Sequence, residues 1–416
     1  MAIAFRNLPK GSVVGSGGYV LRHYGNETSS VEIPDLCFTA EEPGSTVAMA
    51  VNGTPTWGQA FEYSTDGTTW TEFIPGTTAI TLSNVGSKVY FRGNNTTVSE
   101  SASIYYKFVM TGKIAASGNI MSLLDKTCQS TAIARGYCYN SMFQDCTSLT
   151  TAPALPATWL TIGCYRNMFY GCTSLTTAPA LPSTSIASYC YVNMFHGCTS
   201  LTTAPALPAT TLANNCYLSM FQDCTSLTTA PALPATKLAT SCYDGMFQDC
   251  TSLTTAPALP AAMAYSYCYY NMFHGCVSLT TAPALPATTL STNCYYSMFY
   301  GCVSLTTAPA LPATKLASNC YNSMFQDCTS LTTAPALPAT TLATSCYSSM
   351  FRGCTNLQVY SSSGTGHTSA WRIPTSGTAS PNSSQYRMFY KCPGSYKSSG
   401  NVAINSTFYT QNIPVS

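Results

Sequence analysis

Charge is what this chain has least of. Asp, Glu, Lys and Arg together make 8% of its 416 residues, against roughly a quarter in ordinary soluble domains. The formal net charge is +2, so no long-range field gathers nucleic acid or an anionic membrane, and neither is expected as a partner. No uninterrupted apolar run of about 18 residues occurs, so no membrane insertion by a spanning helix is expected. The stretch Met1 to Lys10 holds no apolar core followed by a small-residue cleavage site. The chain as it begins therefore reads either as one released by lysis, in the manner of a virion protein, or as one whose leader has been removed.

Catalytic chemistry is equally thin. The four histidines are His23, His196, His274 and His367, and none sits in a nucleophile or acid–base motif. Asp145, Asp223, Asp249 and Asp327 recur at one position of separate repeats; read that way they do not face each other as the paired carboxylates of a glycosidase do. Gly364-x-Gly366 has no strand-to-helix context for phosphate. No enzyme, cofactor or metal is expected.

What the chain has in abundance is one sentence repeated. Cys138-Tyr139-Asn140-Ser141-Met142-Phe143-Gln144-Asp145-Cys146 is followed by Thr147-Ser148-Leu149-Thr150-Thr151-Ala152-Pro153-Ala154-Leu155-Pro156. The pattern returns at Cys164, Cys190, Cys216, Cys242, Cys268, Cys294, Cys320 and Cys346, nine copies at a constant period of 26 residues. Self-similarity at such a period is the mark of a solenoid. At about 100° per residue, Cys138, Tyr139, Met142, Phe143 and Cys146 share one arc. The spacing thus predicts a two-turn amphipathic helix, with Asn140, Ser141, Gln144 and Asp145 facing out. Leu149 to Leu155 is predicted extended, because Pro153 and Pro156 fix their own φ and push the residue before them out of the helical region. We expect it to pair in parallel with the same segment of the next coil, weakly, since each Pro removes a ladder donor.

The wording Met-Phe-x-x-Cys-x-Ser-Leu-x-x-small-x-small before a Pro-bearing turn resembles the BspA-like leucine-rich repeats of bacterial surface proteins. The resemblance covers about residues 128–361. Met142-Phe143 stands where that family has Ala-Phe, and Ala152 and Ala154 replace its two isoleucines, which implies a thinner coil. The repeated Cys-Thr-Ser-Leu-Thr-Thr-Ala-Pro-Ala-Leu-Pro-Ala-Thr also looks like repeat proteins of gut Bacteroidales and their phages.

The 21 cysteines invite a disulfide reading. On a helix the two of one coil lie about 12 Å apart, past the roughly 7 Å Cα limit for a bridge. Helices of neighbouring coils are expected about 8–10 Å apart, again too far. Cys-x7-Cys is not a structural zinc spacing. Buried free thiols, and a fold completed in a reducing cytoplasm, are the expectation.

In chain order, residues 1–30 read as an N-terminal arm or attachment segment for other virion proteins. Residues 31–112 read as an Ig-like β-sandwich. Its alternating runs include Thr46–Val51, Ala60–Tyr63, Trp70–Phe73, Ala79–Leu82, Lys88–Phe91 and Ile104–Met110. They are parted by turn signals at Asn52-Gly53, Asp66-Gly67 and Asn84-Val85-Gly86. Residues 113–137 read as the N-terminal cap of the solenoid, 138–360 as an α/β leucine-rich-repeat solenoid, and 361–416 as a C-terminal cap. That last segment holds a degenerate tenth repeat over Ser384 to Cys392 and a loop bearing His367 and Trp371. A trimer is an expectation by analogy with fibres.

The core positions barely vary, while outward positions do. They place Arg166, Tyr170, His196, Tyr270, His274, Tyr296, Tyr300 and Arg352, with His367 and Trp371, on a candidate ligand-binding surface suited to glycans. Free drift of solvent-facing sites explains the same variation. The reading that results is a non-enzymatic virion surface protein meeting glycans of a gut bacterium or of mucus. A secreted bacterial adhesin and a ligand-free spacer are the alternatives.

Overall fold

A computed structural model describes residues 12–14, 20–22, 35–56, 60–332, 334–339, 342–357 and 386–392. Strands β1 (Ser12–Val14) and β2 (Val20–Arg22) form an antiparallel pair within the segment read as an arm. Two larger sheets follow. One is six-stranded, in the order β12-β10-β3-β8-β5-β6, from Leu149–Thr151, Ile114–Ser117, Leu36–Ala40, Lys88–Gly93, Phe61–Ser64 and Thr71–Phe73. The other is β7-β4-β9, from Ala79–Leu82, Ser45–Asn52 and Tyr105–Thr111. Rings from both meet: Phe38 of β3 lies 4.8 Å from Phe108 of β9, and Phe91 of β8 lies 5.2 Å from Phe108. β4 alternates buried and half-exposed residues as its sequence predicts, whereas β3 is buried on nearly every residue and so carries no alternation to read.

After the short strand β11 (Ala132–Ile133), β12 is already part of the first repeat. β10 pairs with it in parallel, and Phe108 donates its backbone N–H to the Met142 carbonyl at 2.8 Å. The stacked repeats thus grow directly off the sheets.

Within each repeat the expected burial holds and the expected helix does not. Cys138, Tyr139, Met142, Phe143 and Cys146 are all buried, as are their counterparts in every coil. Yet the segment is a chain of turns, and among the described residues the only helical element is the 3₁₀ turn Ile120–Leu123. The backbone shows why. The residue before the first cysteine, and the fourth and eighth counted from that cysteine, take positive φ in all nine coils: Tyr137, Ser141 and Asp145; Gly163, Asn167 and Gly171; Tyr267, Asn271 and Gly275. A left-handed residue every fourth position breaks an i→i−4 ladder. Asn, Asp and Gly at the fourth and eighth positions are the residue types that tolerate it best, and the small side chain of Ser takes the fourth position in the other coils.

The backbone groups released this way bond between coils. The N–H groups of Ser141, Phe143 and Asp145 donate to the carbonyls of Arg166, Met168 and Tyr170 at 2.8, 2.8 and 2.7 Å, while those of Asn140, Gln144 and Cys146 close local turns. On the other side of the coil the expected parallel pairing is present as one rung per coil, Thr151–Thr177–Thr203–Thr229–Thr255–Thr281–Thr307. Two ring columns run through the interior. Phe143 to Phe389 stack at 5.3–5.7 Å and 2–7°. Tyr139 to Tyr347 stack at 5.3–6.0 Å and 4–13°.

This spacing corrects the disulfide argument. Coils joined by backbone hydrogen bonds lie about 4.7–4.9 Å apart, inside the Cα window for a bridge, not at helix-packing distance. The 21 thiols are nonetheless free and buried. The second thiol of each coil is already engaged: Cys172 Sγ donates to the Phe143 carbonyl at 3.0 Å, and the contact recurs at 2.9–3.1 Å through Cys198, Cys224, Cys250, Cys276, Cys302, Cys328, Cys354 and Cys392. Burial pushes thiols such as Cys242 and Cys294 up to about 12.

Candidate functional site

The outward side chains belong to the third and seventh residues of each turn chain. Because these positions flank the left-handed ones, each forms a column up the stack, one residue per coil. The seventh-position column reads Gln144, Tyr170, His196, Gln222, Gln248, His274, Tyr300, Gln326, Arg352, and ends on Tyr390 of the tenth coil. Tyr170 stacks on His196 at 4.7 Å and His274 on Tyr300 at 4.5 Å. Arg352 lies over the Tyr390 ring at 5.7 Å. In the third-position column Tyr270 stacks on Tyr296 at 4.9 Å, and Arg166 is half-buried with its Nε unpartnered. Six of the predicted residues are therefore brought together in three pairs, not as one patch. Each paired ring has one face covered by its neighbour. His367 and Trp371 lie outside the described residues.

The eighth position adds charge. Gln144, Gln248 and Gln326 donate to the carboxylates of Asp145, Asp249 and Asp327 at 3.2–3.3 Å. Those carboxylates hang over the glycine of the next coil: a Cβ on Gly171 would meet Asp145 Oδ1 at 2.8 Å, and Gly275 and Gly353 are closer still to Asp249 and Asp327. Asp223 is different. Its Oδ2 turns back to His196 Nε2 at 3.2 Å, and the next coil has Asp249 in place of glycine. Adjacent coils therefore do set two acids side by side, contrary to the sequence reading, and Asp223 Oδ faces repulsion from Asp249. Burial first, and Asp249 second, raise the Asp223 carboxyl. Burial lowers both His196 and His274, against an opposing pull from Asp223 and Asp249 respectively. Both histidines are half-buried, not the freely solvated surface residues expected.

Sequence reasoning missed one acid altogether. Asp244 occupies the third position of its coil, where other coils carry Asn140, Leu218, Tyr270 or Ser348. It is half-buried and, among the described residues, its carboxylate has no hydrogen-bond or ion-pair partner; burial alone pushes it up to about 7. The signal was available: the one acid in a column that otherwise holds neutral and aromatic residues and Arg166. Also missed is a run of exposed apolar side chains leading into the next coil, Met263, Tyr265 and Tyr267, 40–49% exposed.

Two shallow cavities of about 390 Å³ lie between Ala-Pro-Ala-Leu-Pro turns of adjacent coils, one at Leu311 and Pro335, the other at Leu207 and Pro231. They are lined by Ala, Leu and Pro alone and offer no polar side chain to orient a ligand. Among the described residues no cluster of three metal-ligating side chains occurs and no helix is long and apolar enough to cross a membrane.

Compared with known families, the description "BspA type Leucine rich repeat region" matches residues 136–280 and 265–365, in six copies. No curated protein and no solved structure matches the chain.

Proposed function

The chain belongs to the BspA-type leucine-rich repeat family, and from that premise we propose that it is a non-enzymatic surface protein of adhesive type. In this reading an Ig-like sandwich carries a leucine-rich-repeat solenoid outward. The family is commonly adhesin-like, and the observation that carries the reading further is the variable column of Tyr, His, Gln and Arg on a stack whose buried positions barely change. Hydroxyl, amide and imidazole groups at one coil spacing suit weak contacts repeated along a polymer, and such contacts gain strength by multivalency. Glycans of a bacterial or mucosal surface are the proposed ligand class.

We further propose the surface of a phage particle as its place. The buried free thiols favour this: a chain with so many of them, spaced within reach of one another, is suited to folding in a reducing cytoplasm. Residues 1–30 would then attach it to other virion proteins, and by analogy with fibres it would assemble as a trimer. The same family membership supports a cell-surface bacterial adhesin as the second reading.

Proteomic inventories of purified extracellular particles and of washed cell envelopes separate the two. Enrichment in particles is expected; enrichment in envelopes, with none in particles, leaves the bacterial adhesin. A glycan array on the purified protein tests the ligand class, and an empty array reduces the protein to a spacer.

A further inference from the structure

In the coil that begins at Cys242, the stack holds a carboxylate that its own fold leaves unanswered. Asp244 is half-buried between Leu218 and Tyr270 in the third-position column, and the Gly245 N–H beside it donates to the Tyr270 carbonyl at 2.8 Å. Tyr270 is stacked on Tyr296 on the side away from Asp244, so its second face looks toward the coil that carries the acid. Tyr267 leans against Tyr270 at 5.6 Å and 46° and is itself 40% exposed. An anion lacking a cation thus adjoins the Tyr270 ring, which in turn meets an exposed second ring.

We propose that Asp244, Tyr270 and Tyr267 form a binding site for an organic ammonium group. Such a cation would take the Asp244 carboxylate together with the exposed Tyr267 ring that leans on Tyr270. The exposed Met263 and Tyr265 on the same edge suit the alkyl or ring carbons that an ammonium group is attached to. An amino sugar and a lysyl side chain both present this chemistry. The other charged sites of the surface do not fit it: the Asp145, Asp249 and Asp327 carboxylates are bonded by glutamines, and Asp223 is paired with His196. Neither Lys nor Arg is paired with Asp244 among the described residues; the titratable groups near it are Tyr270 and the buried Cys242 thiol. The site carries a cost to the free protein, as functional sites do when they hold an unpaired buried charge.

The test is a titration of the full-length protein with tetramethylammonium chloride at pH 8, followed by tyrosine fluorescence or ligand-observed NMR, with sodium chloride at equal ionic strength as the blank. Saturable binding with a Kd on the order of millimolar is expected. Asp244→Asn weakens it about tenfold or more, and Tyr270→Leu does likewise. Asn322 and Leu218 already occupy the same column position in other coils, so both variants should fold; circular dichroism checks that they do. Binding should fade between pH 8 and pH 5.5 as the carboxyl takes up its proton. Glucosamine and Nα-acetyl-lysine amide then tell the sugar source from the peptide source, each against its N-acetylated form. No saturation with any of the cations at pH 8, unchanged binding in Asp244→Asn, or equal binding of the N-acetylated forms each overturns the site. None of these outcomes bears on adhesion through the other columns, which the glycan array reads independently.

Discussion

Asp244 makes the stack's stability depend on pH in a direction that can be measured. Its free carboxyl titrates near 3.8, and burial raises it to about 7 in the folded chain. The folded state therefore holds the proton more tightly than the unfolded one. The stability this contributes is complete below pH 3.8 and is lost as pH rises through about 7. Asp244→Asn removes that loss. We predict that the variant and the native chain unfold at equal urea concentration near pH 3.5, and that the variant is more stable by about 1–3 kcal/mol near pH 8, allowing for partial contact with water. Equal midpoints at both pH values would mean that the carboxylate is compensated in solution.

At the scale of the turn chain, the eighth position couples conformation to charge. Gly275 has φ +71, and a Cβ there would collide with the Asp249 carboxylate. Gly275→Ala should cost about 1–3 kcal/mol, from left-handed strain plus the displaced carboxylate. In Asp249→Gly/Gly275→Ala the collision is gone and only the strain remains, so thermal unfolding should recover part of the loss; no recovery would show that the carboxylate moves aside freely. The same position explains what could be read in the sequence. Cysteines, Met142, Phe143 and Leu149 fixed the period and the buried set, because apolar identity is carried by side chains. The wheel that grouped them at 100° also fits a turn chain with a left-handed residue every fourth place, since both return a face each four residues. What separated the two was Ser141 and Asp145, Asn167 and Gly171, Ser219 and Asp223: small or αL-tolerant residues at a strict interval of four, which a helical reading files as polar surface. The mistaken helix then set the coils at helix spacing. That spacing hid the Asp223–Asp249 contact, the ring stacking of Tyr170 on His196, and the closeness of successive thiols. Asp244 was legible as an isolated acid, but its burial follows from the ring of the next coil and not from its own neighbours in sequence.

Over the whole molecule, a stack of near-identical coils has one weakness, its ends, where a coil's rings and backbone groups lose half their partners. The N-terminal sheets answer it by imitating a coil. Phe108 of β9 stacks on Phe143 at 5.4 Å, continuing the phenylalanine column. Its carbonyl accepts from Cys146 Sγ at 3.2 Å, as the Phe143 carbonyl accepts from Cys172. β10 stands in for the preceding Thr rung, with Thr151 Oγ1 donating to the Ala116 carbonyl at 2.8 Å, and Tyr139 finds the Ile120 carbonyl for its hydroxyl at 3.0 Å. A domain that merely preceded the repeats would match neither the ring column nor the thiol contact. Sheets and stack should therefore unfold together, in one calorimetric transition whose van't Hoff and measured enthalpies agree. Phe108→Ala, expected to cost about 3–5 kcal/mol, removes the shared ring and should split that transition in two. Phe221→Ala, in the middle of the stack, carries a similar cost without separating the sheets from the first coil. Two transitions in the native chain would make the sheets an independent domain. The first coil would then need its end covered by something else.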